Sequence, residues 1–239
     1  MCGLVGAITG RDAVPVLMDG LRRFDPGAYD SAGIAVMSGG DTLTVRRCVG
    51  TLDELERKLS ASSLSSPLGI AHMRRATHGE PSTRNAHPHV SRDSVAVVHN
   101  GVIENHARLR TLLQEAGYEF TSETDTEVIA HLVHRHMAAG KPLFQAVQAA
   151  VHELNGEYAI AVVATPAPDA VIVARRGRPV VLGISEGEQF VASDTAPLRP
   201  YTNRFIFLEE GDVAQVRRND VDIVDAMDKQ VVRELRTLE

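Results

Sequence analysis

The second residue of the chain is a cysteine, in the run Met1-Cys2-Gly3-Leu4-Val5-Gly6. An aminopeptidase commonly removes Met before a small residue, and the chain would then begin with a thiol and a free α-amine on one residue. A thiol ordinarily titrates near about 8.5 and an α-amine near about 7.7–8.0, so a sizeable minority of such chains carry an uncharged amine beside their own sulfur at neutral pH. An N-terminal amine that serves as base for its own residue's side chain is an established way to activate a nucleophile, and cysteine is the strongest of the usual ones. Terminal residues are ordinarily frayed. Here Leu4-Val5-Gly6-Ala7-Ile8 is apolar and partly β-branched, which predicts a buried strand that starts at the terminus and holds Cys2 in place.

Four further stretches concentrate polar residues beside apolar runs: 29–33, 71–89, 97–105 and 123–127. Taken alone, Arg74 and Asp125 read as surface charges, because such residues are mostly exposed. Asp125 also suits a helix start, where the dipole favours a negative charge. His72, His78, His87, His89 and His99 suggest a metal site, imidazole being the commonest ligand. Their spacing matches no zinc pattern, so no metal is expected. Cys48 lies in a β run and reads as an inert core residue.

The elements that must position these residues follow from periodicity. Val14, Leu17, Met18 and Leu21 fall at helical spacing, with Pro15 tolerable in the first turn. Strands are expected over 33–37 and 42–49, joined by a Gly-rich hairpin connection, and a capping-box pattern at 51–54 starts a helix to about residue 59. The serine-rich stretch 61–67 reads as a surface loop. Strands follow over 68–72 and 94–98, the second ending in His99-Asn100-Gly101, where a glycine fits a turn with close backbone approach. Helices are expected over 106–116, 126–139 and 142–154. From 158 onward the pattern is mostly strands, at 158–164, 170–174, 180–184, 189–192, 205–208, 213–216 and 221–224. Strand-rich ends with helices between them point to a layered α+β domain of two antiparallel sheets with helices outside. Residues 225–239 are charged, weakly periodic and poor in β-branched residues, and read as the start of a connector.

Bulk properties set the outer bounds. The 239 residues are 44% hydrophobic and 23% charged, the balance of an ordinary globular protein. Two cysteines make no disulfide framework, so a reducing, cytoplasmic setting is expected. A net charge of −6 without a long basic block argues against nucleic acid as partner. No apolar run approaches the roughly 20 residues that a membrane-spanning helix needs.

Met-Cys-Gly at the start, Ala-Thr-His-Gly-Glu-Pro, Asn-Ala-His-Pro-His, Val-Val-His-Asn-Gly, Ser-Glu-Thr-Asp-Thr-Glu-Val-Ile-Ala-His and Phe-Leu-Glu-Glu-Gly-Asp occur in that order. In these motifs the whole chain resembles class II glutamine amidotransferases, the N-terminal-nucleophile branch, and most closely the glutaminase domain of glutamine–fructose-6-phosphate aminotransferases. The resemblance implies an N-terminal-nucleophile hydrolase fold, a four-layer αββα sandwich, over residues 1–239. It implies hydrolysis of the side-chain amide of L-glutamine through a Cys2 thioester, without a cofactor. Asn100 and Gly101 would stabilise the oxyanion. Arg74 would take the substrate carboxylate and Asp125 its ammonium, a pairing that suits a free α-amino acid. Thr77, His78 and Gly79 would line the loop over the site, with Asp30, Ser31 and His87 in support. A sugar-phosphate isomerase domain would follow residue 239 and use the ammonia for glucosamine 6-phosphate, with full-length members homodimeric.

Two positions depart from the resemblance. Gly27 stands where an arginine is usual, and Arg75 where a tryptophan is usual; the chain has no tryptophan. A guanidinium in place of an indole exchanges a broad apolar cover for a solvated charge, and lids act by excluding water. The expectation is a site that hydrolyses glutamine, holds it more weakly and releases ammonia to solvent. Two other readings stay open at this point: a regulatory module that binds glutamine without turnover, and a different N-terminal-nucleophile amidohydrolase.

Overall fold

The structure, a computed structural model, describes residues 2–24, 29–39, 41–76 and 78–239; Met1, Gly27 and Thr77 lie outside the described residues. Two sheets are stacked, and every pairing between their named strands is antiparallel. The first sheet contains β1 (Gly3–Ile8), β2 (Ser31–Ser38), β3 (Thr42–Val49), β4 (Leu68–Arg74), β9 (Val181–Ser185), β10 (Glu188–Ala192), β11 (Arg204–Phe207) and β15 (Leu235–Thr237), in the order β15-β11-β9-β10-β1-β4-β2-β3. The second contains β5 (His89–Ser91), β6 (Val95–Ile103), β7 (Gly156–Ala164), β8 (Ala167–Arg176), β12 (Val213–Arg217), β13 (Val221–Val224) and β14 (Gln230–Val231), in the order β14-β13-β12-β8-β7-β6-β5.

Three apolar clusters make the four layers. Helices α1 (Val14–Arg22) and α2 (Leu52–Ser60) cover the outer face of the first sheet through Leu17, Leu21, Leu55 and Leu59 against Val5, Ala7, Ile34 and Phe190. Helices α3 (His106–Glu115), α4 (Glu127–Ala138) and α5 (Leu143–Glu153) cover the second through Leu109, Ile129 and Val147 against Val97, Ile160 and Ile172. Between the sheets lie Leu4, Ile8, Ile70, Val98, Ala161 and Val173. Successive side chains of a strand face opposite ways. Val5 and Ala7 therefore meet helices while Leu4 and Ile8 meet the other sheet, and the unbroken apolar runs in the sequence are strands covered on both faces. This is the αββα architecture expected.

Several local expectations need correction. β6 runs straight through His99-Asn100-Gly101, so Gly101 is a strand residue and not a turn residue. Its φ is +133°, and a Cβ there would lie 1.9 Å from the Glu157 carbonyl oxygen, so the close approach is to β7. The capping box at 51–54 does not form: Thr51 makes no side-chain cap, and Glu54 pairs with Arg57. Ser66, in the serine-rich loop, is buried, and its hydroxyl donates to the Met37 carbonyl at 2.6 Å. The tail at 225–239 lies along both sheets, with β14 on β13 and β15 on β11. Arg233 anchors it by a two-pronged pair with fully buried Asp212, at 2.9 and 2.7 Å.

Candidate active site

The site forms where the apolar layer between the sheets runs out. Along β4, Ile70 faces the opposite sheet, and two and four residues further on the same face carries His72 and Arg74. Along β6, Val98 is followed on that face by Asn100. Along β1, Leu4 is preceded by Cys2. Register brings these ends together, because Gly3 pairs with Met73 and Leu4 with His72. Strand β1 is central in its sheet and Leu4 is fully buried, so the residue two positions upstream has a fixed place.

A cavity of about 320 Å³ opens here, and Cys2, Arg74, His87, Asn100, Gly101 and Asp125 all line it. The Cys2 sulfur accepts from the Arg75 main-chain N–H at 3.2 Å. Burial pushes the Cys2 thiol above its ordinary value, with that N–H pulling the other way. A nearby base must therefore take its proton before it can attack. The Asn100 amide nitrogen donates to the Cys2 carbonyl at 3.1 Å, and its oxygen lies 2.8 Å from Nε2 of His72.

Arg74 and Asp125 are buried, against the surface reading that residue type alone favours. One Arg74 nitrogen, Nη2, donates to the carbonyls of His78 and Gly79, the latter at 3.4 Å. Nη1 makes no hydrogen bond to the described residues and sits 3.7 Å from Asp30. Asp125 accepts from the Ile103 N–H at 2.7 Å, and its other oxygen lies 3.9 Å from Nδ1 of His78. It caps no helix.

Residues 72–200, more than half of the chain, match the family described as glutamine amidotransferase domain. The chain belongs to that family. It is 51% identical over 239 residues to the glutamine–fructose-6-phosphate aminotransferase (isomerizing) of Shewanella oneidensis, a match that covers 100% of this chain and 39% of that protein. The corresponding protein of Vibrio cholerae is 50% identical over 235 residues, covering 98% of this chain and 38% of its own length. The chain thus spans about two fifths of the curated relatives it matches. Among solved structures, a glutamine phosphoribosylpyrophosphate amidotransferase from B. subtilis complexed with ADP and GMP superposes with a TM-score of 0.81 at 25% identity, over 94% of this chain and 49% of that one. A glutamine aminotransferase class-II domain protein from Silicibacter pomeroyi, at 17% identity and a TM-score of 0.61 over 94% of this chain and 99% of that one, shares the fold.

Within this glutamine amidotransferase domain the expected supporting residues take somewhat different places. Asp30 and Ser31 flank the start of β2, which pairs with β4 and not with β1. Asp30 accepts from the Ser31 hydroxyl at 2.7 Å and from the Ala76 N–H, so it staples the loop after Arg74, and its charge is felt at the Cys2 thiol. Gly79 holds a φ of +75° with Asn85 packed where a Cβ would be, which suits glycine alone. His87 accepts the His99 N–H on Nδ1 at 3.4 Å and meets the Thr126 hydroxyl through Nε2 at 3.1 Å. Thr126 in turn lies 2.9 Å from His99 Nδ1. Burial drives the His87 and His99 rings below their ordinary values, which makes them neutral hydrogen-bonding parts of the wall. Among the described residues no cluster of His, Cys, Asp or Glu is arranged to hold a metal ion.

Sequence reasoning missed Thr126, Arg178, Pro179 and Ser193, which also line the cavity. Arg178 and Pro179 come from the connection between β8 and β9, and Ser193 from the end of β10. Thr126 lies within the polar stretch 123–127, and the only local signal of the other three is a cationic Arg-Arg-Gly-Arg-Pro run and a polar Ser-Asp step at strand ends.

Proposed function

We propose that this domain hydrolyses the side-chain amide of L-glutamine to glutamate and ammonia through a thioester on Cys2. The observation that carries the reading is one cavity lined by Cys2, the Asn100 amide, a buried arginine and a buried aspartate. Once Met1 is removed, the Cys2 amine takes the thiol proton, the sulfur attacks the amide carbon, and the same amine protonates the departing ammonia. Water then hydrolyses the thioester. Asn100 uses one N–H on the Cys2 carbonyl, which leaves the other for the oxyanion, together with the Gly101 N–H. The unused donors of Arg74 would take the substrate carboxylate and Asp125 the ammonium. Thr77 would add to the loop over the site, with His78 and Gly79. With Met1 in place the amine stays inside a peptide bond, and the unprocessed chain is expected to be inactive.

In the longer protein, residues 225–239 would lead to a sugar-phosphate isomerase domain that uses the ammonia for glucosamine 6-phosphate, in a homodimer in the cytoplasm. The length of the relatives and the two free cysteines support that setting. The test is product analysis with glutamine, with and without fructose 6-phosphate, beside mass spectrometry of the chain before and after a glutamine-analogue electrophile. Glutamate, ammonia and a single adduct on Cys2 are expected; glutamine binding without turnover in the processed chain would overturn the reading.

A further inference from the structure

The two contacts of the Asn100 side chain fix hydrogen positions at the site. The Cys2 carbonyl can only accept, so the amide nitrogen must face it and the amide oxygen must face His72. An amide oxygen can only accept as well, so Nε2 of His72 carries the hydrogen and donates across 2.8 Å. His72 is fully buried, and its ring stacks on His87 with 4.4 Å between centroids and 26° between planes. His87 is itself fixed by His99 and Thr126. The His72 ring therefore holds the oxygen end of the amide, as the Cys2 carbonyl holds its nitrogen end.

We propose that His72 is a positioning residue for the oxyanion donor: its Nε2–H holds the Asn100 oxygen away from Cys2 and so aims the amide N–H at the reacting carbonyl. With no donor at position 72, only the Cys2 carbonyl orients the amide, and its unpartnered oxygen, which repels an oxyanion, can turn into the cavity more readily. Nδ1 of His72 is buried and makes no hydrogen bond to the described residues. Burial accordingly lowers the ring to about 3, so the single-proton form persists through the neutral range.

The inference rests on amide hydrolysis at Cys2, and the experiment separates the two. Steady-state ammonia release is measured for the processed wild type, His72→Leu, His72→Gln, Asn100→Ala and the His72→Leu/Asn100→Ala double variant. A silent wild type overturns the functional reading itself. With an active wild type, His72→Leu is expected to lose about 10- to 100-fold in kcat with KM changed less than about threefold, the signature of an interaction made only in the transition state. The glutamine variant, whose amide can donate, should recover most of that loss. The double variant should be no slower than Asn100→Ala alone, since residues that act as one unit are not additive. A His72→Leu enzyme with wild-type kcat, or a full further loss in the double variant, overturns the proposal. Nitrogen NMR of the wild type decides the matter without relying on the folding of any variant: the Nε2–H form of His72 is expected, and an Nδ1–H form refutes it.

Discussion

Replacing Arg233 by alanine should destabilise the domain by about 3 kcal/mol, although the residue lies far along the tail from the cavity. Asp212 is fully buried, and its carboxylate accepts two hydrogen bonds from Arg233, at 2.9 and 2.7 Å, and one from the Glu209 N–H at 2.7 Å. Truncation removes the one cation paired with Asp212 among the described residues and leaves one N–H for a buried charge. Breaking a buried pair from one side costs about 3–5 kcal/mol, because the remaining charge is uncompensated. Arg233 is 17% exposed, so water can enter in its place and the lower end applies. At about 2–4 °C per kcal/mol for a chain of this size, thermal unfolding followed by circular dichroism should shift down by about 6–12 °C. Adding Asp212→Asn removes the stranded charge and should restore much of the loss. A shift worth less than about 1 kcal/mol, the scale of an exposed pair, would refute the reasoning.

Three other outcomes are expected. Arg75→Trp keeps the main-chain N–H on the Cys2 sulfur and restores an apolar cover, so apparent glutamine affinity should rise; no gain in affinity or rate would count against the lid argument. Gly101→Ala places a Cβ 1.9 Å from the Glu157 oxygen at a φ of +133°, and should cut ammonia release more than about tenfold while lowering the melting temperature. Acid should weaken the fold early. Burial lowers His72 and His89 to about 3, and His87 and His99 in the same direction, whereas all four titrate near about 6.5 when unfolded. Below that value the unfolded chain binds more protons, so stability present at neutral pH is lost as pH falls from about 6.5 toward 3, by up to about 1.4 kcal/mol per pH unit for each ring. Urea midpoints between pH 7 and 5 measure this, and a flat profile would contradict it.

The sequence carried the layers well because both outer faces are covered, so strands appear as plain apolar runs and helices as amphipathic ones. Cys2 was legible for the same reason: Leu4 to Ile8 tie the terminus down. The identities of Arg74 and Asp125 were visible, but their burial was not, since it depends on a loop that folds back through Asp30 and on the Ile103 N–H. Asn-Gly ordinarily makes a turn, which is why Gly101 reads as one locally; the partner that demands glycine is β7, more than fifty residues away. The tail strands were missed because two or three residues carry too little alternation, and because Arg233 has no meaning in the sequence without Asp212. Arg178 and Ser193 reach the cavity only through the sheet order, which local pattern does not encode.

The place of β1 between β4 and β10 also constrains how the protein is born. Strand β1 leaves the ribosome well before its second neighbour, Glu188–Ala192, is made. At about 5–20 residues per second, roughly ten to forty seconds of translation separate the two events. Throughout that interval the leading segment cannot complete its pairing, and its end stays open to an aminopeptidase. Exposure of the Cys2 end and closure of the sheet around it are thereby ordered in time by topology, and no chain that stops short of β10 and Ser193 holds the finished cavity.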